Sequence, residues 1–115
     1  RKLMQLMTNK IKEKLLRNGD VTNRGNDHKP VVKFFGGGSC TWLITEMDSA
    51  DDDTLFGLCD LGMGYPELGN VSLDELKSMR FPPFGLGVER DLHFKAFKPL
   101  SHFTKVANQY ERIVA

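Results

Sequence analysis

Residues 56–72 read FGLCDLGMGYPELGNVS, and the architecture turns on what this stretch does. It carries one cysteine, two carboxylates and four glycines. A catalytic loop, a phosphate cradle and a strand-to-helix connection are all conceivable. Glycines at 62 and 64 let a backbone leave a sheet sharply, and Tyr65-Pro66 enforces an extended turn. Ser72-Leu73-Asp74-Glu75 matches a capping box, in which the serine hydroxyl accepts from the backbone N–H three residues on. Leu73, Leu76 and Met79 then form a short helical stripe. GMGYPELG lacks the last glycine of GxGxxG at the required step, and no GxxxxGK[ST] follows, so a phosphate loop is not supported. The reading is a connector over 62–72 between a strand and a helix.

Upstream lie three strand-like runs, PVVKFF (30–35), CTWLITEM (40–47) and TLFGLCDL (54–61). They are β-branched and aromatic, and the short turns GGGS and DSADDD separate them, which predicts an antiparallel meander. Before them, Leu3, Leu6, Met7, Ile11, Leu15 and Leu16 recur at helical steps opposite Lys10, Lys12, Lys14 and Arg17. Asn18-Gly19 stops that helix, with glycine available for the left-handed conformation. Residues 18–29 read as an exposed, solvated loop.

Downstream, FPPFGLG (81–87) is a turn. VERDLHF (88–94) alternates, with Val88, Arg90, Leu92 and Phe94 on one face and Glu89, Asp91 and His93 on the other. Ser101 caps a last helix with Phe103, Val106, Ala107 and Tyr110 inward. The predicted order is α-β-β-β-α-β-α. This is one α+β domain over residues 1–115, with helices on one face of a mostly antiparallel sheet of about four strands.

The chain has 115 residues, which suits a single domain. Sixteen basic residues against fifteen acidic ones argue against coating DNA by charge, and equally against mimicking DNA. Two cysteines are too few for a disulfide framework and lack zinc spacing. No apolar run approaches the roughly 18 residues of a membrane helix. RKLMQLMTNK is a poor signal peptide, and a chain beginning with Arg reads as a fragment of a longer protein. A cytoplasmic location is expected.

Candidate chemistry is sparse. Glu89, Asp91 and His93 on one strand face, with Asp60 or Glu67 able to join them, form the best carboxylate–imidazole candidate for a divalent metal or acid–base work. The bland alternative is a solvent-facing strand whose acids pair with Lys33 or Lys95. Cys59, set opposite Trp42, reads as a buried inert thiol, and Cys40 would not face it. Asp51, Asp52 and Asp53 form an acidic hairpin tip without EF-hand spacing. No catalytic residue and no cofactor is expected.

PVVKFF, TWLITEMD, FGLCDLGMGYPELGNVSLDEL, VERDLHF and KPLSHF together resemble a small bacterial domain family of unknown function, over residues 11–114. The resemblance implies proteins of plasmids, integrative conjugative elements and phages, encoded beside antirestriction and DNA-processing genes. It brings no catalytic residues. What it implies is a mobile-element accessory role.

Three function classes follow. The first is a non-catalytic protein binder, whose partner would be a host defence nuclease such as a CRISPR effector, or a conjugation protein. Its contacts would be Asp51, Asp52, Asp53, Tyr65, Pro66, Glu67, Glu89, Asp91 and His93. The second is a metal-dependent hydrolase or nuclease using Asp60, Glu89, Asp91 and His93. The third is a weak nucleic-acid binder using the lysines of the first helix with Lys95 and Lys98.

Overall fold

The computed structural model describes residues 5–115. The first helix, α1, spans Asn9–Asn18, and Thr8 caps it by accepting from Ile11 N at 3.2 Å. It therefore starts later than the apolar stripe suggests. Leu6 and Met7 precede it outside any helix or strand yet remain buried, and Leu3 lies outside the described residues. Gly19 ends α1 for a different reason than a left-handed turn. Its φ is −87°, and a Cβ there would stand 2.1 Å from the Met47 carbonyl oxygen. Glycine is needed so that the helix end can touch the sheet.

The meander forms as expected. Strands β1 (Val32–Gly36), β2 (Cys40–Met47) and β3 (Thr54–Asp60) pair antiparallel, and their register aligns Phe34, Trp42 and Cys59 in one row. A bulge displaces β2 between Ile44 and Glu46. There a Cβ at Gly57 would lie 1.9 Å from the Leu43 carbonyl oxygen, so the bulge dictates that glycine.

The connector is where the expectation changes. Gly62 and Gly64 do turn the chain, at φ of 80° and 83°, and the Asp60 carboxylate holds the turn by accepting from Gly62 N at 2.8 Å. The chain then comes straight back. Glu67–Ser72 is a strand, β4, paired antiparallel with β3 from Thr54↔Ser72 to Cys59↔Glu67. The stretch is a hairpin, and only at Ser72 does it become helix α2 (Leu73–Ser78).

After the 81–87 turn, β5 is just Glu89–Arg90, paired with Phe35 and Phe34 of β1. The expected strand stops because the Asp91 side chain accepts from His93 N at 2.9 Å and so folds the chain into a turn. Among the described residues the sheet thus has five antiparallel strands in the order β4-β3-β2-β1-β5.

The helices do not share one face. Leu15 of α1 and Leu73 and Leu76 of α2 pack with Phe34, Trp42, Ile44 and Leu55. The last helix, α3 (Leu100–Tyr110), covers the opposite face, where Leu100, Ala107 and the tail residue Ile113 meet Leu43 and Leu58. Leu43 and Leu58 are the alternate, equally apolar positions of β2 and β3. Both faces of the central strands therefore need cover. Tyr110 points outward rather than into this layer. Pro99, not Ser101, is the α3 cap position, and the capping carboxylate comes from the loop after α1: Asp27 Oδ1 accepts from Ser101 N at 3.0 Å.

Candidate functional site

The acidic tip between β2 and β3 is built as a joint. Asp51 accepts from Asp53 N and Thr54 N, both at 2.9 Å, and from Thr54 Oγ1 at 2.6 Å. The Thr54 hydroxyl first, then these backbone N–H groups, hold its carboxyl below the ordinary range. Asp53 accepts from Ser72 Oγ at 2.6 Å and from Asp74 N at 2.9 Å, while Ser72 Oγ accepts from Glu75 N. The capping box is thus completed by Asp53, which pins the hairpin tip to the start of α2. Asp52 stands at φ 52° and meets Lys12 at 3.4 Å. Lys12 and Lys77 interleave with these acids around a hollow of about 300 Å³.

The metal-site candidates do not converge. Asp60, Thr41, Phe35 and Glu89 are successive partners across four strands. Three strand spacings of about 4.8 Å put Asp60 and Glu89 roughly 14 Å apart, too far to share an ion. Asp60 is buried and accepts from Gly62 N and, at 2.9 Å, from Ile113 N. Asp91 lies 3.7 Å from Lys33 Nζ, the cross-sheet pairing anticipated for this acid. His93 is past the strand end, exposed, in the turn that follows Asp91. Among the described residues no group of three His, Cys, Asp or Glu side chains is placed to hold a metal.

The two thiols are unpaired with each other. Cys59 is directly opposite Trp42, and burial pushes its pKa up to about 11. Burial and then the Asp60 charge raise that of Cys40. Both stay protonated at neutral pH and make poor nucleophiles.

The remaining candidates lie in the β3–β4 turn. Tyr65 is 78 % exposed, Met63 68 % and Leu61 49 %. With Cys59 and Glu67 they line a mostly apolar groove of about 280 Å³. Pro66 is buried, so it supports this surface from below rather than making contact. Glu67 is exposed and is the groove's one charged residue. Sequence reasoning named Tyr65 and Glu67 but missed Leu61, Met63 and the strand after them. The available signal was three bulky apolar residues set among glycines, where a solvated turn carries polar ones.

No helix among the described residues is long and apolar enough to cross a membrane. No curated protein and no solved structure matches the chain. Residues 6–114 match the family described as Protein of unknown function (DUF2958), in line with the expected resemblance to a small domain family without assigned function. The match runs from the buried Leu6 through every described strand and helix to Val114, in the tail that bonds Asp60, and the chain therefore belongs to the DUF2958 family.

Proposed function

We propose that this domain is a non-catalytic binding protein that works by occupying the surface of another protein. The observation that carries the reading is the fate of its reactive groups. Asp51, Asp53, Asp60 and Asp91 are all engaged by backbone N–H groups within the fold, whereas Leu61, Met63 and Tyr65 are left in solvent beside one another. Exposed apolar side chains gathered around a groove are the ordinary mark of an interaction site. The mobile-element setting implied by the sequence resemblance makes a host defence nuclease, such as a CRISPR effector, the first partner to try. A conjugation protein is the second, and steric blockade is the mechanism in either case.

A photo-crosslinking residue placed at position 65, with a control at position 52, tests this in lysate of a bacterial host. The expected result is a protein adduct from position 65 that competes away with unlabelled domain. Adducts with nucleic acid alone, or saturable heat on titration with Mn²⁺ accompanied by a rise in Tm, would overturn it.

A further inference from the structure

The apolar groove continues into an open sheet edge, and the two together define a particular kind of partner. Strand β4 is the last strand on its side of the sheet. Among the described residues, no main-chain hydrogen bond from any other element reaches residues 67–71 beyond the β3 pairing. Such an edge presents a row of unused donors and acceptors that only another extended backbone can match as a ladder.

Gly69, at the middle of this edge, has no internal reason to be glycine. Its φ is not positive, and a Cβ built on it meets nothing within 4 Å. Glycine weakens a strand interior, and in strands it marks places where another backbone or ligand approaches closely. Directly across from it is Gly57, which the β2 bulge forces to lack a side chain. The pair leaves a bare spot on the face that carries α1 and α2. Cys59 and Glu67 form the neighbouring cross-strand pair on that same face, and the groove opens beyond them.

We propose that β4 receives an extended segment of a partner protein as a sixth strand. This rests on the protein-binding reading above and specifies its mode. The segment's chemistry follows from the face it meets. Opposite Glu67 a Lys or Arg makes the favourable cross-strand pair. Opposite Gly69 an aromatic ring fills the bare spot, as aromatic residues do across from edge glycines. Two residues past Glu67, an apolar side chain drops beside Met63 and Tyr65. Side chains alternate along a strand, so the recognised pattern is apolar-x-basic-x-aromatic, in the direction that the pairing sets. A second copy of this chain fits less well. Pairing two β4 strands about Gly69 sets Glu67 against Val71 and Leu68 against Asn70, which supplies neither the cation nor the ring.

The test pans a phage-displayed library of random 12-residue peptides on the purified protein. Selected peptides are then measured by fluorescence polarisation and amide exchange. The expected outcome is peptides sharing the pattern that slow exchange at residues 67–71. Gly69→Val, which has room for its side chain, keeps or raises Tm but weakens binding at least about tenfold. Glu67→Lys, at an exposed position, weakens basic peptides by roughly tenfold and regains binding when the peptide's basic residue becomes Glu. Selected peptides that protect another surface, such as 81–87, overturn the strand pairing while leaving the protein-binding reading intact. A native dimer whose 67–71 protection is lost on dilution assigns the edge to a second copy and also overturns it. If panning yields no peptide the pairing falls, and the protein-binding reading falls with it only if cross-linking at position 65 also captures no protein.

Discussion

Replacing Asp60 by Ala removes a carboxylate that is 3 % exposed and accepts two backbone N–H groups, from Gly62 at 2.8 Å and Ile113 at 2.9 Å. A buried donor left without a partner costs about 1–3 kcal/mol. The Ile113 donor is buried and bears the full cost, while the Gly62 donor is nearer to water. The sum is about 2–4 kcal/mol, a large part of the roughly 5–15 kcal/mol by which domains are stable. Asp60→Asn keeps one acceptor but turns an amide NH₂ toward the second N–H, so its cost is about 1–3 kcal/mol. Urea unfolding followed by the single tryptophan, Trp42, measures both, because that side chain is 1 % exposed in the core. With a slope of about 1.5 kcal/mol/M, the Asp60→Ala midpoint should fall by roughly 1.3–2.7 M. Amide exchange should speed up at residues 111–115, since the Ile113 N bond to Asp60 is the buried one of the tail's ties to the sheet, the other being the exposed bond from Lys33 Nζ to the Ala115 carbonyl. An unchanged midpoint for Asp60→Ala would refute the argument. It would free this carboxylate for a chemical role.

The thiols and the acidic tip give two further outcomes. Because burial raises the Cys59 pKa to about 11, the folded state holds its proton more tightly than the unfolded state. That stabilisation is complete below 9.0 and is lost as pH rises from 9.0 toward about 11. At pH of about 8 an aromatic disulfide reagent should label Cys59 slowly in the native protein and rapidly in denaturant; fast native labelling would contradict an inert thiol. Asp51 works in the opposite sense. Its lowered pKa stabilises the fold above the ordinary 3.8, and the benefit disappears as pH falls through the folded-state value. Asp51→Asn should therefore lower Tm at about pH 7 and lose that deficit as pH falls below the folded-state value of Asp51; a deficit that stays equal across the acid range would show that the charge is irrelevant.

The parts of the fold that could be read from the sequence are those where local pattern and tertiary environment agree. The meander, the Cys59–Trp42 pairing and the Ser72 cap all follow from alternation, turn residues and capping chemistry. What was hidden is what one partner alone cannot announce. ELGNVS contains Glu, Gly and Asn, all poor strand formers, and becomes β4 only because Thr54–Asp60 lies ready to pair with it. Gly19 looks like any helix-ending glycine until the Met47 carbonyl is set against it. Asp27 looks like a loop acid until α3, 74 residues later, presents Ser101 N to it. His93 looked like part of a face because alternation continues in the letters, whereas the backbone turns at Asp91. The same blindness affected the site. The acids stood out as chemistry because their backbone partners lie mostly in turns, while Leu61, Met63 and Gly69 carry meaning only once a sheet edge is placed beside them.

The two sheet edges differ in a way that selection for solubility alone does not explain. On the β1 side the sheet ends in β5, two residues long, both charged, and the Asp91 turn breaks the strand immediately afterwards. Short, charged and interrupted edges are how soluble proteins avoid unwanted strand pairing. On the β3 side the sheet ends in β4, six residues long, with one charge, no lysine and a glycine at its middle. It is entered through Pro66, which sits before the strand and blocks none of it. Beside it the turn exposes Leu61, Met63 and Tyr65. A chain that closes one edge so thoroughly has the means to close the other, and a single Lys in place of Asn70 would help to do so. The long edge, open among the described residues next to an apolar groove, is the one the proposed sixth strand would use, on the side away from the Lys33–Asp91 pair.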